Sequence, residues 1–202
     1  GFRLDVKEYN GSVSPQVSTA GDVNGDGFDD VIIGISANGD SKYSYSYVVF
    51  GKASGFDATM DLSSLNGGNG FRVEGEGFPK TSNLGSSVSS AGDINGDGFD
   101  DVIIGADYGR NDTSFVLFGK ASGFDATLNV SSLDGTNGFR LASSEYGYGY
   151  PGGSVSNAGD VNGDGFDDIL IGARLANSGG TDRGAAYLIF GGPAMPASLD
   201  LA

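Results

Sequence analysis

The chain has 202 residues, with 26 Asp and Glu against 11 Lys and Arg and a net charge of −15. That balance argues against nucleic acid or an anionic membrane surface as a partner. Histidine and cysteine are absent, which excludes a disulfide framework and removes the commonest general base and the thiol nucleophiles.

No run is long and apolar enough to cross a bilayer, and no N-terminal signal peptide is visible, so a mature or trimmed chain is expected. Thirty-seven glycines among short apolar, aromatic and β-branched runs predict an all-β protein with many tight corners.

In chain order, the first predicted strand is GFRL at Gly1, followed by a variable loop. A strand ending in VSTAGD runs into the acidic segment DVNGDGFDD, Asp22–Asp30. The segment VIIG follows as a short β-branched strand, then a second variable loop, then the strand YVVFG from Tyr47, and ATMDL closes the unit. The whole order then recurs. GFRV begins at Gly70 and GFRL at Gly138, FVLFG at Phe115 and YLIFG at Tyr187, and the acidic segment returns at Asp93–Asp101 and Asp160–Asp168. ATLNV and ASLDL close the later units. The period is near 70 residues, which gives units of about 1–69, 70–137 and 138–202 within one domain. Four antiparallel strands per repeat describe a propeller blade. A parallel β-helix built on nonapeptides would repeat every 9 or 18 residues, and no such period is present.

The acidic segment carries the chemistry. Asp22, Asn24 and Asp26 place oxygen at positions 1, 3 and 5, the Phe28 carbonyl can join them from position 7, and Asp30 at position 9 closes the set. Gly25 and Gly27 permit the tight backbone that aims those groups inward. All-oxygen ligation rich in carboxylate suits Ca²⁺. An EF-hand needs a bidentate Glu at position 12 and flanking helices; here position 12 is Ile33, Ile104 or Ile171, inside a strand pattern. The alternative is an Asx-turn without metal. Against it, each segment packs four carboxylates into nine positions, and these would repel one another without a cation. Three bound Ca²⁺ would bring the net charge from −15 to about −9. Loops of this kind are usually loaded at extracellular calcium levels, so secretion or surface display is expected.

The pattern SVSxAGDxNGDGFDDxIIGA…VxFG resembles the FG-GAP repeat of integrin-α-type β-propellers, and the resemblance covers all three units. It implies blades, calcium in loops on one face, and ligand recognition by loops on the other. Carried over position by position, the first calcium set is Asp22, Asn24, Asp26, Phe28 carbonyl and Asp30. The second is Asp93, Asn95, Asp97, Phe99 carbonyl and Asp101. The third is Asp160, Asn162, Asp164, Phe166 carbonyl and Asp168, making three Ca²⁺ per chain. Phe28, Phe99 and Phe166 are expected to pack between blades, and Arg3, Arg72 and Arg140 to serve the framework. Integrin-type propellers have seven blades, whereas this chain has three. Three is below the four to eight that close a propeller, so self-association into a six-bladed dimer is expected, with residues Gly1–Val6 of one copy completing the last blade of the other.

Between the constant strands the loops vary, as on a scaffold that presents a surface. Tyr9, Tyr43, Tyr45, Tyr47, Tyr108, Tyr146, Tyr148 and Tyr150 lie in or beside them, with Lys7, Lys42, Lys80, Arg110, Arg174 and Arg183. Tyrosine offers large contact area at low rotamer cost, which predicts a protein or glycan ligand. Tyr43, Tyr45 and Tyr47 alternate with period two and are read equally as one packed face of a strand. A non-catalytic, extracellular binding or adhesion module is the leading expectation. A carbohydrate-active lyase or hydrolase is the alternative, although Glu8, Glu74, Glu76 and Glu145 form no paired constellation. A purely structural filament subunit is the third reading.

Overall fold

A computed structural model describes residues 1–6, 13–36, 44–75, 83–107, 113–142, 151–174 and 184–201. Among them lie fifteen strands: β1 (Arg3–Asp5), β2 (Ser14–Gly21), β3 (Asp30–Ser36), β4 (Tyr45–Val49), β5 (Thr59–Asp61), β6 (Gly70–Glu74), β7 (Leu84–Gly92), β8 (Asp101–Ala106), β9 (Thr113–Leu117), β10 (Thr127–Asn129), β11 (Gly138–Ala142), β12 (Pro151–Gly159), β13 (Asp168–Ala173), β14 (Ala185–Ile189) and β15 (Ser198–Asp200). Single 3-10 turns at Leu62–Ser64 and Val130–Ser132 are the helical pieces described.

The strands form blades, but each blade is assembled across the sequence repeat. The first complete sheet has the order β10-β6-β4-β3-β2 and the second β15-β11-β9-β8-β7. In each, the four antiparallel strands expected of a blade are present, yet the GFR strand comes from the following repeat. β6 pairs antiparallel with β4, Val48 opposite Phe71, and β11 pairs with β9, Val116 opposite Phe139. A fifth, short strand adds in parallel, β10 against β6 and β15 against β11. The closing segments ATLNV and ASLDL, which carry no alternation long enough to read as full strands, supply it. The remaining strands form a three-stranded sheet β12-β13-β14 and a two-stranded parallel pair β1-β5.

The central strand of the second complete sheet is apolar on both faces because a neighbouring sheet covers each side. In β8 all six residues are buried, which is why DVIIGA reads as a continuous apolar run rather than an alternation. Val102, Ile104, Phe115 and Leu117 of the second sheet pack with Ile32, Val48, Phe71 and Val73 of the first. On the opposite face, Ile103, Val116, Phe139 and Leu141 pack with Ile169 and Ile171 of the three-stranded sheet. A third cluster joins Ile33, Ile35, Tyr47 and Val49 to Leu62 and Leu65, with Leu4 and Met60 of the β1-β5 pair against it. The core is therefore a series of layers between successive sheets.

Candidate metal centre

Each acidic loop joins the long first strand of a sheet to its buried second strand. A register shift falls immediately before it in all three copies, between Thr19 and Gly21, Ser90 and Gly92, and Asn157 and Gly159. This bulge turns the chain out of the sheet and places position 1 at the lip of the loop. Inside the first loop, the Asp22 carboxylate accepts the Asp26 N–H at Oδ1 (3.0 Å) and the Gly27 N–H at Oδ2 (2.8 Å). The Asn24 Oδ1 also accepts the Asp26 N–H (2.9 Å), Asn24 Nδ2 donates to Asp26 Oδ2 (3.0 Å), and Asp26 Oδ1 accepts the Phe28 N–H (3.0 Å). The second loop repeats this pattern with Asp93, Asn95 and Asp97, and the third with Asp160, Asn162 and Asp164. Positions 1, 3 and 5 are thus brought together in every copy, as their spacing predicts.

Position 9 has a different setting. Asp30, Asp101 and Asp168 are buried at the first residue of β3, β8 and β13. Asp30 Oδ2 accepts the Val23 N–H of its own loop (3.0 Å) and Oδ1 accepts the Gly51 N–H (2.7 Å). Asp101 holds Ile94 and Gly119 in the same way, and Asp168 holds Val161 and Gly191. The glycine of each VxFG motif is therefore the partner of the ninth residue of the acidic loop, which links two motifs about twenty residues apart. Burial pushes the Asp30 carboxyl up to about 6 and the Asp101 carboxyl up to about 8; the backbone hydrogen bonds work against this, and the charges of the position 1 and 5 carboxylates add to it.

Position 8 does not serve its own loop. Asp100 Oδ2 accepts the Asp22 N–H (2.7 Å), and the Asp100 N–H returns to the Asp22 carbonyl (3.2 Å). Asp167 makes the same pair of bonds with Asp93 (2.9 and 3.3 Å). Beside them, the Lys120 N–H donates to the Val23 carbonyl (3.0 Å) and the Gly192 N–H to the Ile94 carbonyl (2.8 Å). The ring of Phe99 lies over Gly25, where any Cβ would collide with it, and Phe166 covers Gly96 likewise. Phe99 and Phe166 therefore pack between units as expected, whereas Phe28 is exposed. Successive acidic loops are bonded to one another through positions 1 and 8. In the sequence the second aspartate of the DD pair looks no different from the first; only the junction separates their roles.

Among the described residues, no three acidic side chains converge as a finished metal cage. The donor chemistry nevertheless fits a hard divalent cation. Each loop supplies two carboxylates and an amide oxygen at positions 1, 3 and 5 and a buried third carboxylate at position 9, and every carboxylate oxygen that accepts one amide proton keeps a second lone pair.

The other sequence expectations divide. Tyr47 is fully buried in the core, and Tyr45 is half-buried with the Arg72 guanidinium 4.9 Å from its ring centroid, so these two tyrosines pack and leave the ligand surface. Arg72 pairs with Glu74 (3.0 Å), Arg3 with Asp5 (2.7 Å), and Arg140 donates to Ser198 (3.1 Å), all framework contacts. Glu74 is thereby engaged away from any site. Arg174 forms an ion pair with Asp107 of the preceding unit (2.7 Å). Tyr9, Tyr43, Tyr108, Tyr146, Tyr148, Tyr150, Lys7, Lys42, Lys80, Arg110, Arg183, Glu8, Glu76 and Glu145 lie outside the described residues. The strand ends that flank them, such as Ser14 opposite Ser36, lie at the end of the sheet away from the acidic loop. No helix among the described residues is long and apolar enough to span a membrane.

Stacked antiparallel sheets with an acidic loop at the same corner of each define a protein of β-propeller blades. The model of the FG-GAP repeat matches residues 15–49, 84–118 and 151–189, more than half of the chain, and the chain belongs to the FG-GAP repeat family. Its curated relatives are integrin alpha chains. Integrin alpha-PS5 of Drosophila melanogaster is 31% identical over 165 residues, 79% of this chain and 15% of the relative. Integrin alpha-4 of Xenopus laevis is 28% identical over 163 residues, 79% of this chain and 14% of the relative. Integrin alpha-V of Gallus gallus is 29% identical over 156 residues, 75% and 14% respectively. The chain spans about one seventh of the length of these relatives.

Proposed function

We propose that the chain is a non-catalytic, calcium-stabilised β-propeller module of the cell exterior, which meets a protein or glycan ligand through its tyrosine-rich loops and assembles with a second copy of itself. The observation that carries this reading is the threefold recurrence of one loop, with the same hydrogen bonds and the same buried aspartate, in FG-GAP units. In each loop the aspartates at positions 1, 5 and 9, the asparagine at position 3 and the carbonyl at position 7 would hold the ion. Bound Ca²⁺ neutralises the clustered carboxylates. The protein then needs only to keep the loop backbone in place, which positions 1, 3 and 5 already do through their bonds to the loop amides.

Integrin-type relatives support an adhesion role rather than catalysis, and the recurrent carboxylates are the ones committed to the loops. Two copies of three units make six blades, within the range that closes a ring. Native mass measurement with and without a chelator tests both parts: three ions per chain and a mass of two chains are expected. Calcium-independent mass and melting would overturn the metal reading. A glycan and protein array gives the ligand class, where retention without turnover is expected.

A further inference from the structure

Neighbouring acidic loops are joined through consecutive residues, and the middle one of them is outside the donor set. In the second loop Phe99, Asp100 and Asp101 stand at positions 7, 8 and 9. Positions 7 and 9 belong to the donors of their own loop, whereas position 8 faces the first loop. Asp100 grips both backbone groups of Asp22: its Oδ2 accepts the Asp22 N–H (2.7 Å), and its own N–H donates to the Asp22 carbonyl (3.2 Å). The Phe99 ring lies against Gly25. Asp101 reaches the first loop by way of the FG glycine. Its Oδ1 accepts the Gly119 N–H (2.8 Å), and the adjacent Lys120 N–H donates to the Val23 carbonyl (3.0 Å). Positions 1, 2 and 4 of the first loop are therefore held by positions 8, 9 and 7 of the second. The same contacts join the second loop to the third, with Phe166 on Gly96, Asp167 on Asp93, and Asp168 linked through Gly191 and Gly192 to Ile94.

We propose that the acidic loops bind calcium cooperatively, with the position 8 aspartate of one loop fixing the position 1 donor of the loop before it. This rests on the reading of the loops as calcium sites and adds how those sites are regulated. Gly25 and Gly27 are in the left-handed region, with φ of 70° and 87°, so the first loop has much backbone freedom to lose when its donors gather round an ion. When Phe99 and Asp101 are fixed as ligands in the second loop, Asp100 between them is fixed too. It then presents a rigid carboxylate and N–H to Asp22, whose carboxylate is the first donor of the first loop. Part of the ordering of the first loop is thus complete before its own ion arrives, which raises its affinity without changing its donors. The coupling is reciprocal, so an occupied first loop favours the second by the same factor. Repulsion between neighbouring ions acts against this. It is screened over about 10 Å at 0.1 M salt, and the Asp100 carboxylate brings the opposite charge to the junction.

Amide NMR of the full chain, titrated with calcium at physiological salt, reads the loops separately. The Gly27 N–H donates to Asp22 Oδ2 and the Gly98 N–H to Asp93 Oδ2, so these signals report the first and second loops. Asp97→Ala is expected to empty the second loop and to move the Gly27 midpoint to calcium concentrations at least about 5-fold higher. It does so from a distance, since the Asp97 carboxylate bonds to Asn95 and Phe99 of its own loop. Asp26→Ala is expected to move the Gly98 midpoint by the same factor in the same direction. Asp100→Ala is expected to weaken the first loop as Asp97→Ala does, and the double variant to fall well short of the product of the two effects. Asp100→Asn, which keeps an acceptor oxygen, is expected to retain the coupling. Midpoints that ignore mutations in the neighbouring loop would overturn the inference while both loops still bound calcium. Coupling that survives Asp100→Ala, or losses that multiply in the double variant, would remove position 8 from it. The Asp26→Ala and Asp97→Ala pair decides the coupling even where Asp100→Ala is too unstable to titrate. No calcium-dependent shift of either signal in the wild type would overturn the calcium reading itself, and the inference with it.

Discussion

The middle and the last repeats carry nearly the same residues at their central strands and differ in what covers them. Ile103 and Leu170 occupy the same position of the VIIG-type strand, yet the first is fully buried and the second 42% exposed. Ile94 and Val161, position 2 of the two acidic loops, differ in the same way, 0% against 56%. Strand formation is a property of the repeat, whereas burial is a property of the neighbour. A unit's apolar faces, and much of its stability, come from the next unit in the stack, as in other repeat architectures.

The largest test of that comparison is removal of calcium, because it acts on all three corners together. Calcium at 100 times its dissociation constant stabilises by about 2.7 kcal/mol per site. For a chain of this size, each kcal/mol moves the melting temperature by roughly 2–4 °C. Excess chelator is therefore expected to lower the melt on the order of 20 °C by calorimetry; an unchanged melt would remove the metal from the account.

The next test sets the two equivalent side chains against each other. Ile103→Ala empties a fully buried position and is expected to cost about 2–5 kcal/mol. Leu170→Ala at high dilution is expected to cost well under half as much, measured by urea unfolding. If Leu170→Ala becomes more costly as protein concentration rises, the exposed face is being covered by a partner, and the comparison is sharpened.

Position 8 gives a smaller effect with the same logic. Asp100→Ala leaves the Asp22 N–H without its carboxylate partner and is expected to cost about 1–3 kcal/mol. Asp29→Ala at high dilution, where no such donor faces it among the described residues, is expected to be near neutral. Equal losses would show that the aspartate acts within its own loop.

The smallest effect is the pH dependence of the calcium-free protein. Asp101 titrates near 8 in the fold, above the ordinary 3.8 of an exposed carboxyl. The folded state therefore holds a proton that the unfolded chain has released. That contribution is fully present below about 3.8 and is lost as pH rises through about 8. In chelator, melting is expected to fall between pH 5 and pH 8, and Asp101→Asn, which keeps a neutral side chain, is expected to flatten the slope. A melt that rises over that range in wild type would refute the burial effect.

Much of the fold and of the acidic corner is legible in the residues alone. The DxNGDGFDD spacing places oxygens at positions 1, 3 and 5, and Ile33, Ile104 and Ile171 rule out a helix after them, because both signals are local. Asp100 and Asp167 are not separable from Asp101 and Asp168 in the same way, since the two roles differ only in which chain segment stands opposite. Tyr45 and Tyr47 fit core or ligand surface equally by their alternation, and packing against Leu62, Leu65 and Arg72 decides it.

The residues by themselves determined the unit: its strands, its bulged acidic corner, its FG glycine and its period, all set by hydrogen bonding and side-chain alternation within some seventy positions. Only the tertiary arrangement decided that each blade borrows its outer two strands from the following repeat, that position 8 bridges loops, and which of several identical apolar faces are covered. The physical reason is that burial and strand pairing are relations between segments, and a segment's composition states what it can bury without stating what will stand against it.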